Sequence, residues 1–326
     1  AQVSQSRIDT RESTPKDFTT LLSAFNLHNT LKTAWGDGSF GVEWRYDTLS
    51  AQPDGWGNEA QNGQRRQQAA YAGWGARAGK HLFQANVRRD LTETQRSRNT
   101  WGLQYGYDLS TTWRAQVGTT TGYRLPTLSE LYDPIYGDAA LNAETSRTVE
   151  TALRYRSGAT QAKASVYQTR FDQLISSRPY SDPVCAFCWY NIGRATTRGV
   201  SLEASSNLGP ATVGATYDLL SAHNDDNDNR LNYRSPRKLT AFVAATWRDW
   251  NMRADWLVKS GRWDNASNTQ WLPGYSMLNV SAQTALDQHT QLRVHVDNLF
   301  DRQVEEVKGL TSPGRRIMAT LVWSTP

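Results

Sequence analysis

Connections of two kinds take turns along this 326-residue chain, and that alternation leaves few folds open. Tight turns with turn chemistry occur at WGDGS, AGKH, DLSTT, RSGAT, NLGPA, WRDWN and LDQHT. Between them lie longer polar connections: SAQPDGWGNEAQNGQ, LPTLSELYDPIYGDAALNAE, SSRPYSDPVCAFCWY, HNDDNDNRLNY, GRWDNASNTQWLPG and LFDRQVEEVKGLTSPG. A sheet assembled this way has short turns at one end and long loops at the other, which is the plan of a membrane-spanning β-barrel. Soluble sandwiches and propellers do not sort their connections so.

About sixteen strand-like segments lie between these connections, near 2–10, 17–32, 39–50, 65–77, 81–92, 98–109, 112–123, 145–156, 160–175, 192–206, 211–222, 234–247, 250–262, 275–286, 289–298 and 314–323. Their side chains alternate with period two. In HTQLRVHVDNLFD, Leu292, Val294 and Val296 oppose Arg293, His295 and Asp297. In SMLNVSAQTAL, Leu278, Val280, Ala282 and Leu286 oppose Asn279, Ser281 and Gln283, and RRIMATLVW puts Ile317, Ala319, Leu321 and Trp323 on one side. Strands so long and so consistently two-faced fit a wall between lipid and a wet lumen. The charged face is then the interior. The expected fold is therefore all-β: a transmembrane antiparallel β-barrel with about sixteen strands present.

Composition agrees where it bears on the question. No run approaches the ~18 apolar residues of a transmembrane helix, and half-apolar barrel strands do not need one. The 13 Trp and 14 Tyr suit the two membrane–water interfaces. With 36 basic and 31 acidic residues and no Lys/Arg block, nucleic acid is not an expected partner. The chain opens at Ala1 directly on a strand-like stretch, which points to an upstream portion of a longer protein.

Three stretches carry a resemblance. GYRLPTLSELY (122–132), YNIGRATTRGVSLEAS (190–205) and VDNLFDRQVEE (296–306) resemble, in order and spacing, segments of TonB-dependent outer-membrane receptors, most of all the cobalamin transporters among them. Leu202 intervenes before Glu203, and Val304 stands where an aromatic is usual. The resemblance covers residues 1–326 and implies the later strands, about 7 to 22, of a 22-stranded barrel. It implies a Gram-negative outer-membrane location, with lipid and lipopolysaccharide as neighbours. It further implies uptake of cobalamin into the periplasm, with no catalysis and no cofactor. Plug, TonB box, calcium-binding early loops and the contact with the TonB–ExbB–ExbD complex belong to parts without counterpart here. Outer-membrane proteins end on an aromatic residue; Trp323 is the expected equivalent, ahead of Ser324, Thr325 and Pro326.

By the same resemblance, Tyr233 and Arg234 in LNYRSPRK are the expected substrate-binding residues. Trp263 and Trp271 in the next loop either cover the ligand or belong to an aromatic girdle. Cys185 and Cys188 lie in an expected outer loop, and a disulfide closing a tiny loop suits an oxidising compartment. A zinc site would need a second ligand pair. HNDDNDNR (223–230) has carboxylates at a calcium-like spacing but lacks the glycine and distant Glu of an EF-hand, so a charged loop tip is expected and no metal site. The five histidines are scattered, and no nucleophile motif accompanies them. Two other functions stand beside the cobalamin reading: a receptor for ferric siderophores, sharing all three motifs, and a passive plugless pore, should the chain close its own ring.

Overall fold

The computed structural model describes residues 2–11, 17–51, 60–93, 95–133, 135–178, 185 and 188–324. The first half supplies β1 (Gln2–Arg11), β2 (Asp17–Thr33), β3 (Gly36–Ala51), β4 (Gln61–Ala78), β5 (His81–Thr92), β6 (Arg98–Asp108) and β7 (Trp113–Arg124). A short helix α1 (Leu128–Tyr132) precedes β8 (Glu144–Ser157), β9 (Thr160–Ser177), β10 (Trp189–Leu208) and β11 (Ala211–Asn224). Then follow β12 (Arg237–Trp247), β13 (Trp250–Lys259), β14 (Arg262–Trp263), β15 (Trp271–Leu272) and β16 (Tyr275–Ala285). The chain ends with β17 (Thr290–Asp297), β18 (Glu305–Val307), β19 (Leu310–Thr311) and β20 (Arg316–Trp323).

Sixteen of these strands form one antiparallel sheet in strict chain order, while β14–β15 and β18–β19 are separate small hairpins. Every long strand thus pairs with its neighbours in sequence. Among the described residues, β1 and β20 are the two edges of the sheet. The expected strand positions hold to within a few residues. One end differs for a definite reason: β12 starts at Arg237 rather than 234, because Pro236 has no N–H to give a ladder. Glycines in the left-handed conformation close two of the short turns, Gly158 at φ 53° and Gly209 at φ 60°.

The register decides the faces. Val294 lies opposite Ala282 and Ala319, and Val296 opposite Val280 and Ile317, so the apolar residues of β16, β17 and β20 share one side. That side is bare: Ile317 is 71% exposed, Leu321 67% and Val166 60%. On the other face sit Asp47, Arg65 and Asp90, all buried. A soluble sheet has the reverse arrangement, and a continuous exposed apolar face of this extent requires hydrocarbon against it. Exposed Trp35, Trp113, Trp247 and Trp323 gather at the short-turn end, where Trp113 packs on Tyr155 with ring centroids 4.9 Å apart. They mark one membrane interface.

The polar face is concave. A cavity of about 1700 Å³ is lined from Arg77 and Asp108 on one side to Asp255 and Asn279 on the other, so the sheet curls around it. The well-packed apolar clusters lie elsewhere, at the loop end. Leu131, Leu141 and Ile175 pack with Trp189, and Ile192, Ala195, Ala222 and Leu231 pack with Phe171 and Tyr190. There the strands continue past the membrane and support the loops.

Candidate functional site

Three long connections at the loop end, 225–236, 260–274 and 298–315, are tied into one body. Asn229 Nδ2 donates to the Ala266 carbonyl at 3.0 Å, and Arg230 and Asn268 exchange two hydrogen bonds at 2.7 and 2.8 Å. Tyr233 holds a positive φ of 57° and donates its backbone N–H to the Trp263 carbonyl at 2.8 Å. Its hydroxyl is hydrogen-bonded to Asp264; burial, then the Asp264 carboxylate, raise the phenol above its ordinary pKa. Asp264, itself buried, accepts the Lys308 backbone N–H at 3.0 Å and so reaches the third connection.

Beneath this lies a second lock. Arg262 is 2% exposed, and its Nη2 donates to the carbonyls of Glu305 and Glu306 at 3.3 and 2.9 Å and to the Glu306 carboxylate at 2.5 Å. Glu306 also accepts from Lys259 at 3.3 Å and from the Tyr275 hydroxyl. Burial works to raise the Glu306 carboxyl, but the Tyr275 hydrogen bond and the cations Lys259 and Arg262 prevail and hold it below its ordinary pKa. Sequence reasoning did not single out Arg262, Asp264 or Glu306. Only their neighbours in space distinguish them from other loop charges.

The two expected ligand residues stand in different circumstances. Tyr233 has committed its hydroxyl to Asp264. Arg234 is exposed, three residues ahead of β12, with no hydrogen bond or ion pair among the described residues. Trp263 and Trp271 stand edge to face with centroids 4.9 Å apart, and Trp271 is half exposed. Gly261 permits this, since a Cβ there would run into the Trp271 indole. The cluster therefore offers a free guanidinium beside a partly bare aromatic pair, a combination suited to non-covalent capture of a large ligand.

The remaining expected sites lie apart from it. Cys185 and Cys188 lie just ahead of β10 with Cα atoms 5.6 Å apart and their sulfurs joined. Thiol titration of the denatured, unreduced protein is expected to find no free cysteine; two titratable thiols would overturn the pairing. The carboxylates of HNDDNDNR turn back on β10: Asp225 accepts from Thr196 Oγ1 at 2.7 Å and Asp226 from the Arg194 N–H at 3.3 Å. Among the described residues, no group of three His, Cys, Asp or Glu is arranged around a metal position. His295 donates to or accepts from Asp297 at 2.8 Å on the polar face.

Below the loop cluster, the cavity wall is basic. Nine Lys and Arg side chains line it against three carboxylates. Asp108 is taken by Arg77 and Arg114, and Asp255 by Arg253. Arg154, Arg156 and Lys238 have no ion pair among the described residues, which leaves the lumen with a net positive field.

Comparison with known proteins fits this architecture. The family model for the TonB dependent receptor-like β-barrel matches residues 2–299. The chain is 26% identical over 264 residues to the vitamin B12 transporter BtuB of Photobacterium profundum, covering 80% of this chain and 43% of that protein. Among solved structures, the copper transporter OprC superposes with a TM-score of 0.78 at 16% identity, covering 95% of this chain and 57% of that one. A ferric enterobactin receptor, PfeA, from Pseudomonas aeruginosa gives 0.75 at 15% identity, with 95% and 54% covered. The siderophore receptor PirA from Acinetobacter baumannii gives 0.73 at 13%, with 95% and 55% covered. The chain thus spans less than half of the curated relative and somewhat over half of these structures.

Proposed function

The chain belongs to the TonB-dependent receptor β-barrel family of the Gram-negative outer membrane, and from that premise we propose that it forms the carboxy-terminal wall and outer loops of a cobalamin receptor. In this reading the loop cluster of Tyr233, Arg234, Trp263 and Trp271 contributes to capture of the corrinoid. The polar wall then conducts it inward once a plug, supplied by the remainder of the receptor, is displaced through TonB. The single observation that carries the ligand assignment is the likeness over 264 residues to a vitamin B12 transporter. A self-closed passive pore is the weaker reading, since β1 and β20 do not pair among the described residues.

A ferric-chelate receptor is the second reading. The basic lumen supports it, because chelates of ferric iron with acidic ligands are anionic and gain from a positive wall. Titration calorimetry on the complete receptor separates the two. Cyanocobalamin is expected to bind, and Arg234→Ala to weaken it about tenfold, the loss of one charge-assisted hydrogen bond. Binding of a ferric catecholate with no heat from cyanocobalamin would replace the cobalamin reading with the chelate one. Unchanged affinity in the Arg234→Ala receptor would remove that residue from the site.

A further inference from the structure

On the outward, lipid-facing side of β8, β9 and β10, three arginines stand together. Arg147 lies directly opposite Arg170 in the β8–β9 ladder, and Arg198 lies opposite Gln168 in the β9–β10 ladder. The face is fixed by the same registers. Val149 pairs with Gln168, and Val166 pairs with Val200, so the arginines continue the bare apolar rows on the loop side. All three are exposed. Like charges directly opposed across a ladder destabilise it. Nothing within the chain relieves this pair: Arg147 stacks over Trp101 with its guanidinium carbon 5.8 Å from the ring centroid, and Arg198 donates Nε to Gln168 at 2.9 Å. Among the described residues none of the three has a carboxylate partner.

Their height matters as much as their grouping. From Arg147 to Tyr155, the aromatic at the short-turn rim, the strand climbs eight residues, or about 26 Å at ~3.3 Å per residue. With a tilt of about 40° this is roughly 20 Å along the membrane normal, close to the apolar band of an outer-membrane barrel. The guanidinium groups therefore emerge where hydrocarbon ends and headgroups begin, on the outer leaflet side, with Trp101 at the same level.

We propose that Arg147, Arg170 and Arg198 form a lipid site that clasps the phosphate of an anionic outer-leaflet glycolipid headgroup. A phosphate oxygen set between Arg147 and Arg170 turns their mutual repulsion into two charge-assisted contacts, and guanidinium forks match its geometry. The site rests on the outward face lying in a bilayer and is independent of which ligand the loops take up.

The test uses the complete receptor purified in a neutral detergent, titrated with bis-phosphorylated lipid A and with its dephosphorylated form, and read by native mass spectrometry. Wild type is expected to prefer the phosphorylated lipid at least tenfold. The Arg147→Gln/Arg170→Gln receptor is expected to lose that preference, and Arg147→Lys/Arg170→Lys to keep most of it. Equal binding of the two lipids by wild type overturns the site, and that comparison stands even if the glutamine variant fails to fold. So does an undiminished preference in the folded glutamine variant. Full displacement of the lipid by millimolar inorganic phosphate would likewise overturn it, by showing a site for free anions.

Discussion

Asp47→Ala is expected to destabilise the folded wall by about 3–5 kcal/mol, the range for removing one partner of a buried ion pair. Asp47 is 4% exposed on the lumen face of β3. It accepts from Arg45 Nε at 2.7 Å and from Arg65 Nη2 at 3.1 Å. Arg65 is nearly as buried, and its Nη1 donates to the Pro126 carbonyl at 2.5 Å, just ahead of α1. Without the carboxylate, a guanidinium remains in a dry position with a single carbonyl to satisfy it. The tie between β4 and the connection that carries α1 weakens with it. Urea unfolding of the protein in lipid vesicles, followed by tryptophan fluorescence, measures the effect. A loss below about 1 kcal/mol would mean that lumen water already solvates the pair, as at an exposed salt bridge.

The second large effect lies on the opposite face. Val166→Arg places a cation midway up the outward side of β9, where it meets hydrocarbon, and is expected to cost about 2–4 kcal/mol. The control is Gln161→Arg on the same strand, which points into the cavity and is expected to stay within about 0.5 kcal/mol of the parent. In a soluble sheet the two substitutions would behave alike, because Val166 is already 60% exposed. Equal stabilities for both variants in vesicles would contradict the assignment of lipid to the valine side.

The wall was legible in the sequence because two simple periodicities define it. Side chains alternate along each strand, and connections alternate in length between strands, so both strand positions and the choice of inner face followed from pattern alone. What the long loops do internally was not legible in the same way. The helix α1 carried a local signal that strand periodicity overshadowed: Thr127 and Glu130 form a capping box, each side chain bonded to the other's backbone N–H. The hairpins β14–β15 and β18–β19 have two or three residues per strand, too few for any period to register. The lock of Arg262, Asp264 and Glu306 joins residues more than forty positions apart, and no spacing rule reaches that far. Arg234, by contrast, entered through family likeness, and its free guanidinium adds a physical reason to test it. The opposed arginines of β8 and β9 became visible only once the register between the strands was known.

Strict chain order within the sheet has a consequence for how such walls change size. Since each long strand contacts only the strands before and after it, excising one hairpin lets the two flanking strands meet with their directions still antiparallel. Duplicating a hairpin inserts just as readily, and no connection has to be rethreaded across another. Circumference is then a modular property, adjustable in steps of two staves like a cooper's cask. An engineer seeking a wider or narrower bore could splice at any of the short turns and leave the remaining ladder intact.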